Sequence, residues 1–194
     1  MVTTRKPETL DDVLRRVLDI VEALRIPYLL IGGLAVGVVG EARMTQDVDL
    51  IVVLPIRRLS VFAKRAQAWG FLIAEASLKE ARMTGAVRLR WGDFHVDVIF
   101  ASTAFERSAF ARKLSVTLAG RTVYVPSPED LILLKLVPGR EKDLFDVKGI
   151  IVRHQARLDR NYLEQWAQRL SDASEDSRIW ETLQRLLNET SAAA

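Results

Sequence analysis

Two aspartates on one predicted strand are the residues whose type and spacing point first to chemistry. Asp47 and Asp49 lie in the valine- and isoleucine-rich segment 47–53, which is predicted to be a β-strand. Residues two apart on a strand project from the same face, so the two carboxylates share one patch. Like charges this close repel unless a cation lies between them, and a carboxylate pair suits Mg²⁺, which takes oxygen ligands. The alternative is an exposed strand end with two solvated acids.

A third aspartate lies in a later predicted strand. Asp97 stands between Val96 and Val98 in an otherwise apolar segment, where an unpaired carboxylate would be expensive to bury. If this strand lies beside the Asp47 strand, three carboxylates converge, which is enough to hold two divalent ions for an in-line displacement at phosphorus. The alternative is a salt bridge from Asp97 to one of the many arginines.

A pair of glycines marks a turn from a strand into a helix. The apolar run 28–31 is typical of a buried strand, and Gly32 and Gly33 end it before a small-residue helix at 34–39. Backbone N–H groups at such a turn can approach a phosphate closely, helped by the helix dipole. The alternative is a tight turn that lets the helix pack closely.

These residues must be positioned by the surrounding secondary structure. The sequence predicts both strands and helices up to residue 126 and only helices after residue 126. This order predicts an α/β (α+β) fold. Two hairpins are predicted, which turn at Gly92-Asp93 and at Ala119-Gly120. Strands are predicted at 28–31, 47–53, 87–91, 94–100, 114–118 and 121–125, and helices at 10–24, 34–39, 57–69, 128–136, 144–154, 162–170 and 177–187.

The order of these elements resembles the nucleotidyltransferase superfamily of the polymerase β type. The matching residues read IGGLAVGVVGEARMTQDVDLIV, in which Gly32-Gly33 precede the Arg43-x-Thr45-x-Asp47-x-Asp49 pattern, and HVDVI supplies Asp97. The resemblance covers residues 28–152. It is strongest to two minimal bacterial branches, the type IV toxin–antitoxin toxins of the AbiEii kind and the small lincosamide nucleotidyltransferases.

The resemblance implies both a fold and a reaction. The fold would have a mixed β-sheet catalytic core at 1–126, flanked by helices, and a C-terminal helical region at 127–194 that completes the site. A nucleoside triphosphate would bind by its phosphates at Gly32 and Gly33, with Mg²⁺, or Mn²⁺ in its place, held by Asp47, Asp49 and Asp97. An acceptor hydroxyl would attack the α-phosphorus, and Asp97 would help to deprotonate it.

A downstream segment, KLVPGREKDLFD, also matches the toxin branch. The resemblance implies that Lys135 reaches the triphosphate and that Arg140 and Lys142 contact phosphate or acceptor. Asp143 would orient one of these cations or help to activate the acceptor. The alternative is a solvated helix–turn–helix with an acid that caps the second helix, which applies most strongly to Lys142 and Asp146.

Arg43 and Thr45 precede the first of the metal-binding carboxylates. An arginine fork with a nearby hydroxyl can hold the γ-phosphate of a nucleotide or the loop that forms the site. The alternative for both residues is a surface turn.

The composition excludes several classes of protein. The chain has 194 residues, 49% of them hydrophobic, and no cysteine, which excludes disordered chains, disulfide scaffolds, thiolate nucleophiles and cysteine zinc sites. Residues 1–126 hold 18 Lys and Arg against 13 Asp and Glu, while residues 127–194 hold 10 against 12, so a polyanionic partner is expected at the N-terminal part.

The uncharged stretch 26–40 is too short for a membrane span, and residues 1–10 lack an apolar signal segment. We therefore expect no membrane partner and a cytoplasmic protein.

The acceptor stays open among RNA, a small molecule and a protein. The cationic N-terminal part and the toxin-like motifs favour the 3′ end of tRNA over an aminoglycoside or lincosamide, whose cationic forms would prefer an acidic pocket. The toxin resemblance also implies a cognate antitoxin as partner. The second hypothesis is a non-catalytic nucleotide-binding or toxin–antitoxin interaction protein of the same fold, and a metal-dependent phosphatase or nuclease is the third.

Overall fold

A computed structural model describes residues 7–192, which form two compact units. Among the described residues, the first unit comprises residues 7–34 together with Met44–Val125, and the second comprises Ala35–Arg43 together with residues 126–192. The boundary predicted after residue 126 lies one residue from the end of the first unit. The sequence prediction assigns residues 35–43 to the first part, whereas they belong to the second unit. The roles given to parts 1–126 and 127–194 stay predictions.

The first unit is built on a mixed four-stranded sheet with the spatial order β1-β2-β4-β3. The described strands of the chain are β1 (Tyr28–Ile31), β2 (Asp47–Val52), β3 (Ala86–Trp91), β4 (Phe94–Phe100), β5 (Leu114–Leu118) and β6 (Arg121–Val125). Strand β2 runs antiparallel to β1 and parallel to β4, and β3 is an edge strand antiparallel to β4. Strands β5 and β6 form a separate hairpin. The predicted α+β class with a mixed sheet is confirmed.

Helix α1 covers the sheet of the first unit with its apolar face. Thr9 caps it: the Thr9 hydroxyl accepts a hydrogen bond from the Asp12 backbone N–H, and the Asp12 carboxylate accepts one from the Thr9 N–H. The face that includes Val17 and Leu18 is fully buried, and the helix packs on β2, β4 and α3. The helices of this unit are α1 (Leu10–Ala23), the start of α2 (Gly32–Val39), α3 (Leu59–Ala68), α4 (Glu75–Thr84) and α5 (Ala104–Ala111).

Two of these helices are missing from the sequence prediction. Helix α5 carries a full capping box, in which the Thr103 hydroxyl accepts from the Glu106 N–H and the Glu106 carboxylate accepts from the Thr103 N–H. Helix α4 ends at Gly85, whose left-handed backbone (φ +68°) is a common helix terminator. Because only Ala81 of α4 is fully buried, the helix lacks the apolar periodicity on which the prediction relied.

The second unit is helical in its described residues. It comprises the rest of α2 from Ala35, α6 (Pro128–Leu136), α7 (Glu141–His154), α8 (Arg160–Ser174) and α9 (Arg178–Ala192). As predicted, α6 has Ser127 as its cap and proline in its first turn. Arg153 donates to the Gly40 carbonyl, and a ring nitrogen of His154 lies 2.6 Å from the Val39 carbonyl oxygen. These contacts with α7 explain why residues 35–43 belong to this unit.

The helices of residues 7–192 are unlike membrane-spanning helices. None of the helices there has both the length and the apolar character that a membrane crossing requires. Residues 1–6, on which the expectation about a signal segment partly rests, lie outside the described residues.

Candidate active site

The turn after β1 is shaped by Gly32, which begins α2. Its backbone is left-handed, with φ at +66°, a region that side chains other than hydrogen rarely adopt. A Cβ atom there would lie 1.8 Å from Oδ2 of Asp49. Glycine is therefore required twice, once by the backbone angle and once by the carboxylate that occupies the space beside it.

The second glycine makes room for Thr45. A Cβ atom on Gly33 would lie 2.8 Å from the Thr45 Cβ and 2.9 Å from its Oγ1. The same hydroxyl oxygen lies 3.5 Å from the backbone nitrogen of Asp47. Thr45 thus packs between the Gly-Gly turn and the start of β2, and its predicted contact with a γ-phosphate stays a prediction.

Three aspartates share one face of the sheet. In the parallel pairing of β2 with β4, Asp49 stands opposite Asp97 and Asp47 stands opposite His95. The residues that alternate with them, such as Val48 and Val96, are fully buried on the other face. Nδ1 of His95 lies 3.6 Å from Oδ1 of Asp47. The two strands that carry the aspartates are therefore neighbours in the sheet.

Asp97 is held by Arg88, its cross-strand neighbour on β3. Nε of Arg88 donates to Oδ1 at 2.7 Å and Nη2 donates to Oδ2 at 2.6 Å, the geometry of a bidentate ion pair. The Asp97 side chain is 26% exposed and that of Arg88 60%, so the carboxylate is neither buried nor unpaired. The hydrogen bonds to Asp97, with the further charges of Asp47 and Asp49, raise the pKa of the Arg88 guanidinium.

The donor atoms suit a hard divalent cation, although the side chains as they stand do not enclose one. Carboxylate oxygens are the ligands that Mg²⁺ prefers, and the sheet register places three carboxylates on one face. Each carboxylate oxygen has more than one lone pair, so Asp97 retains acceptor capacity beside its bonds to Arg88. Within residues 7–192, no group of three acidic or histidine side chains is close enough to form a metal site.

The second unit contains a buried ionic network centred on Lys135. Its Nζ lies 3.0 Å from Oδ1 of Asp143 and 2.9 Å from Oδ2 of Asp146. The lysine side chain is 8% exposed, and the two carboxylates are 0% and 1% exposed. The ammonium group is thus engaged by two carboxylates, and its predicted contact with a triphosphate stays a prediction.

Two arginines complete this network. Arg140 donates to both oxygens of Asp143, at 2.6 and 3.3 Å, and Arg43 donates to both oxygens of Asp146, at 2.8 and 3.0 Å. Three cations thus surround two anions, which leaves one net positive charge. Lys142 is exposed and has no ion-pair partner among the described residues.

The network keeps its two carboxylates ionised. Burial alone would raise the pKa of Asp143, but hydrogen bonds from Arg140 and Lys135 outweigh burial and lower it below the ordinary value. Burial likewise opposes the ionised form of Asp146, and hydrogen bonds from Arg43 and Lys135 lower its pKa.

The comparisons with known proteins identify the fold. A lincosamide antibiotic adenylyltransferase, LnuA, matches with a TM-score of 0.52 and 16% identity, over 75% of this chain and 98% of its own. An antigenic nucleotidyltransferase-like protein from Paracoccidioides brasiliensis matches with a TM-score of 0.53 and 18% identity, over 90% and 93%. The antibiotic-resistance factor ANT(2'')-Ia matches with a TM-score of 0.52 and 15% identity, over 94% and 93%. This chain has the nucleotidyltransferase fold.

The fold is shown by structure alone. No family model matches the sequence, and no curated protein matches it significantly. The resemblance to the nucleotidyltransferase superfamily is confirmed at the level of fold, while the likeness to AbiEii-type toxins stays a prediction.

Two residues of this nucleotidyltransferase fold escaped the sequence-based assignment of site residues. Arg88 has a signal in the sequence, because a two-residue hairpin at Gly92-Asp93 pairs Trp91 with Phe94 and hence Arg88 with Asp97. Asp146 lies three residues after Asp143 and therefore on the same side of a helix. The hairpin register would have found the contact of Arg88 with Asp97, and the helix period would have placed Asp146 beside Asp143.

Proposed function

We propose that this chain is a nucleotidyltransferase that moves a nucleoside monophosphate from a nucleoside triphosphate onto an acceptor hydroxyl. The observation that carries the proposal is the row of Asp47, Asp49 and Asp97 on one face of the sheet, with Asp49 against the glycine that begins α2. Carboxylates in this arrangement serve phosphoryl-type transfer, in which positioning and electrostatics do most of the catalysis.

The residues of the Gly-Gly turn bind the phosphates in this proposal. Gly32 and Gly33 lack side chains, so backbone N–H groups at the start of α2 can approach an anion closely. The Asp49 carboxylate, which fills the space beside Gly32, would be poorly tolerated by the phosphates unless a cation neutralises it. Asp47, Asp49 and Asp97 would hold Mg²⁺ or Mn²⁺, and the bound ion would neutralise charge on the transferring phosphate and on the departing pyrophosphate.

Asp97 takes up the proton of the acceptor hydroxyl in this proposal, and Arg88 orients it. The bidentate bonds at 2.7 and 2.6 Å fix the carboxylate plane, and the remaining lone pairs of its oxygens are available to an acceptor. In the chemical step Arg88 acts through Asp97, so it is a positioning residue for that step.

The cations of the second unit would add phosphate affinity. The network of Lys135, Arg43 and Arg140 with two aspartates carries one net positive charge. Arg140 is exposed, as is Lys142, and both are candidates to contact phosphate or acceptor. Asp143 would hold Arg140 and Lys135 in place for this task.

The acceptor proposed first is RNA, with the tRNA 3′ end as the expected target of a toxin-type enzyme in the cytoplasm that a cognate antitoxin would restrain. A small molecule is the alternative, because LnuA is described as a lincosamide adenylyltransferase and ANT(2'')-Ia as an antibiotic-resistance factor. A protein hydroxyl is the third class of acceptor.

A label-transfer experiment tests the function and sorts these acceptors. Purified protein is incubated with each α-³²P nucleoside triphosphate, Mg²⁺ and total cellular RNA, and the products are resolved on a denaturing gel. Parallel reactions contain protein acceptors, an aminoglycoside or a lincosamide. We expect label in tRNA-sized RNA that is lost in the Asp49→Ala variant. Label on a drug or a protein would instead move the acceptor to that class.

A second function, nucleotide or partner binding without catalysis, is favoured by one observation. Asp97 is already neutralised by Arg88, and residues 7–192 contain no ready-made three-ligand metal site. A thermal shift with nucleotide but no label in any acceptor would support this alternative. Transfer of label to any acceptor would exclude it.

A further inference from the structure

A groove in the first unit runs along the edge strand β3. Its volume is about 860 Å³, within the range of roughly 300–1,000 Å³ that is typical of ligand sites. Residues 71–74 and helix α4 form one wall, and β3 with His95 forms the other. Two backbone hydrogen bonds join the walls, from the Leu72 nitrogen to the Arg90 oxygen (2.7 Å) and from the Arg90 nitrogen to the Leu72 oxygen (2.9 Å). The groove is therefore part of the folded structure.

The groove is connected to the carboxylate row by two of its lining residues. Arg88 lines it and forms the bidentate pair with Asp97. His95 also lines it and lies 3.6 Å from Asp47. A molecule in the groove would thus have one end beside Asp97, the carboxylate to which the proposed function gives the acceptor's proton.

The arginines of the groove retain hydrogen-bond donors. Arg88 uses Nε and Nη2 for Asp97, and its Nη1 makes no hydrogen bond within residues 7–192. The only hydrogen bond that the Arg90 side chain makes to that part of the chain goes from Nη1 to the Gly92 carbonyl. Both side chains are exposed. Arginine forks with unused donors are suited to phosphate oxygens.

The remaining lining residues indicate what kind of phosphate compound fits. Leu72, Ile73 and Ala74 give the opposite wall apolar surface, and Leu72 is exposed, which suits a sugar and base. Glu80 is the one acid among the groove residues, so a cationic drug finds little complementary charge. The excess of Lys and Arg in residues 1–126 also favours a polyanion.

We propose that the groove between α4 and β3 binds the acceptor of the transfer reaction, and that its occupant is the terminal nucleotides of a single-stranded RNA. Arg88 and Arg90 contact the backbone phosphates and place the terminal hydroxyl beside Asp97. This inference rests on the proposed function for its hydroxyl acceptor, but RNA binding by the groove is measurable without catalysis.

The test is the binding of a fluorescently labelled single-stranded RNA to the full chain, followed by anisotropy without nucleotide at several salt concentrations. Arg90→Glu should weaken RNA binding at least about tenfold. It should also reduce the slope of log affinity against log salt concentration by about the amount expected for one phosphate contact. Glu80→Lys, on the opposite wall, should strengthen binding, a gain that misfolding cannot produce. Arg82→Glu is the matched control, because Arg82 is an exposed residue of α4 that does not line the groove; it should change the affinity less than about twofold.

The possible results separate the groove from the reaction. Unchanged RNA affinity in both Arg90→Glu and Glu80→Lys would overturn the proposed groove, even if label transfer to RNA succeeds. The proposed groove would also be overturned if an aminoglycoside bound more tightly than RNA and if Arg90→Glu increased the affinity for the aminoglycoside. Opposite effects of Arg90→Glu and Glu80→Lys, in the absence of label transfer, would support the RNA groove and contradict the nucleotidyltransferase proposal.

Discussion

Aspartate carboxylates meet arginine in both units of this chain, in different surroundings. In the first unit, the Asp97–Arg88 pair is open to solvent, with more than half of the arginine side chain exposed. In the second unit, Asp143 and Asp146 are fully buried and bonded by Lys135 and by one arginine each. Aspartate–arginine pairs therefore lie at the surface in the first unit and have buried carboxylates in the second unit.

The difference teaches which carboxylates are available for chemistry. Exposed ion pairs typically add about 0–1 kcal/mol to stability, because water already solvates both charges. Loss of one partner from a buried pair costs about 3–5 kcal/mol, since it leaves an uncompensated charge. In the proposed function, the first unit therefore commits its aspartates to a reaction, whereas the second unit needs its aspartates to stay folded.

The largest expected effect separates activity from stability. Asp97→Asn should reduce label transfer by at least about 10²–10³-fold and change the free energy of unfolding by less than about 1 kcal/mol. Asp143→Asn should cost about 3–5 kcal/mol of stability. Urea denaturation beside the transfer assay measures both quantities. A large loss of unfolding free energy in Asp97→Asn would contradict the claim that only the second unit depends on its aspartates for stability.

Removal of the central cation is the next largest effect. Lys135→Met leaves Asp143 and Asp146 buried with only their arginines and should cost about 3–5 kcal/mol of unfolding free energy. The apparent KM for the nucleoside triphosphate should also rise. Lys142→Met is the matched control, since Lys142 is exposed on the next helix, and its stability should change by less than about 0.5 kcal/mol. Equal stabilities of the two variants would show that the network is not structural.

The glycine beside Asp49 gives a smaller effect on stability with a specific consequence. Gly32→Ala introduces both a left-handed alanine and a contact with the Asp49 carboxylate. Gly85→Ala is the matched control, because Gly85 has nearly the same φ and nothing within 4 Å of the added methyl group. The control should lose only the backbone cost of about 1–2 kcal/mol. Gly32→Ala should lose more unfolding free energy than the control and should also lose label transfer. Similar losses of stability and activity in both variants would contradict the close contact between position 32 and the Asp49 carboxylate.

The smallest expected effect is a pH dependence. The pKa values of Asp143 and Asp146 are lowered in the folded protein, so the unfolded chain binds more protons in acid. Their contribution to stability is fully present above the ordinary pKa of 3.8 and is lost as the pH falls through the lower, folded values. Urea denaturation between pH 5 and pH 3 should show this loss. The loss should be shallower in Lys135→Met, and an equal slope would contradict the proposed cause.

The sequence predicted the elements with strong local signals. The buried strand before Gly32, the aspartate spacing on β2 and the cap at Ser127 all have local physical causes, and they appear where expected. Helix α4 was missed because it buries little of its surface, which leaves no apolar period to detect. The assignment of residues 35–43 depends on contacts with Asp146 and Arg153, which are more than 100 positions away in the chain.

The candidate site was predictable in its residue types and less so in its pairings. The DxD spacing placed two carboxylates on one face, and the resemblance implied that Asp97 joins them in holding a metal. The pairing of β2 with β4, which sets Asp97 opposite Asp49, comes from the structure. Whether Asp97 is buried, and which arginine neutralises it, depends on the strand at the sheet edge. The ion pairs of Lys135 were likewise not predictable from local sequence, because its two carboxylate partners lie on the following helix.

The most direct test of the account compares wild type with Asp49→Asn in label transfer from α-³²P nucleoside triphosphates to RNA with Mg²⁺. Both proteins are first shown to be folded by their urea denaturation curves. The account predicts labelled RNA with the wild type and a loss of at least about 10²-fold in the variant at similar stability. Equal transfer by the two proteins would contradict the claim that the carboxylate row is the reactive centre.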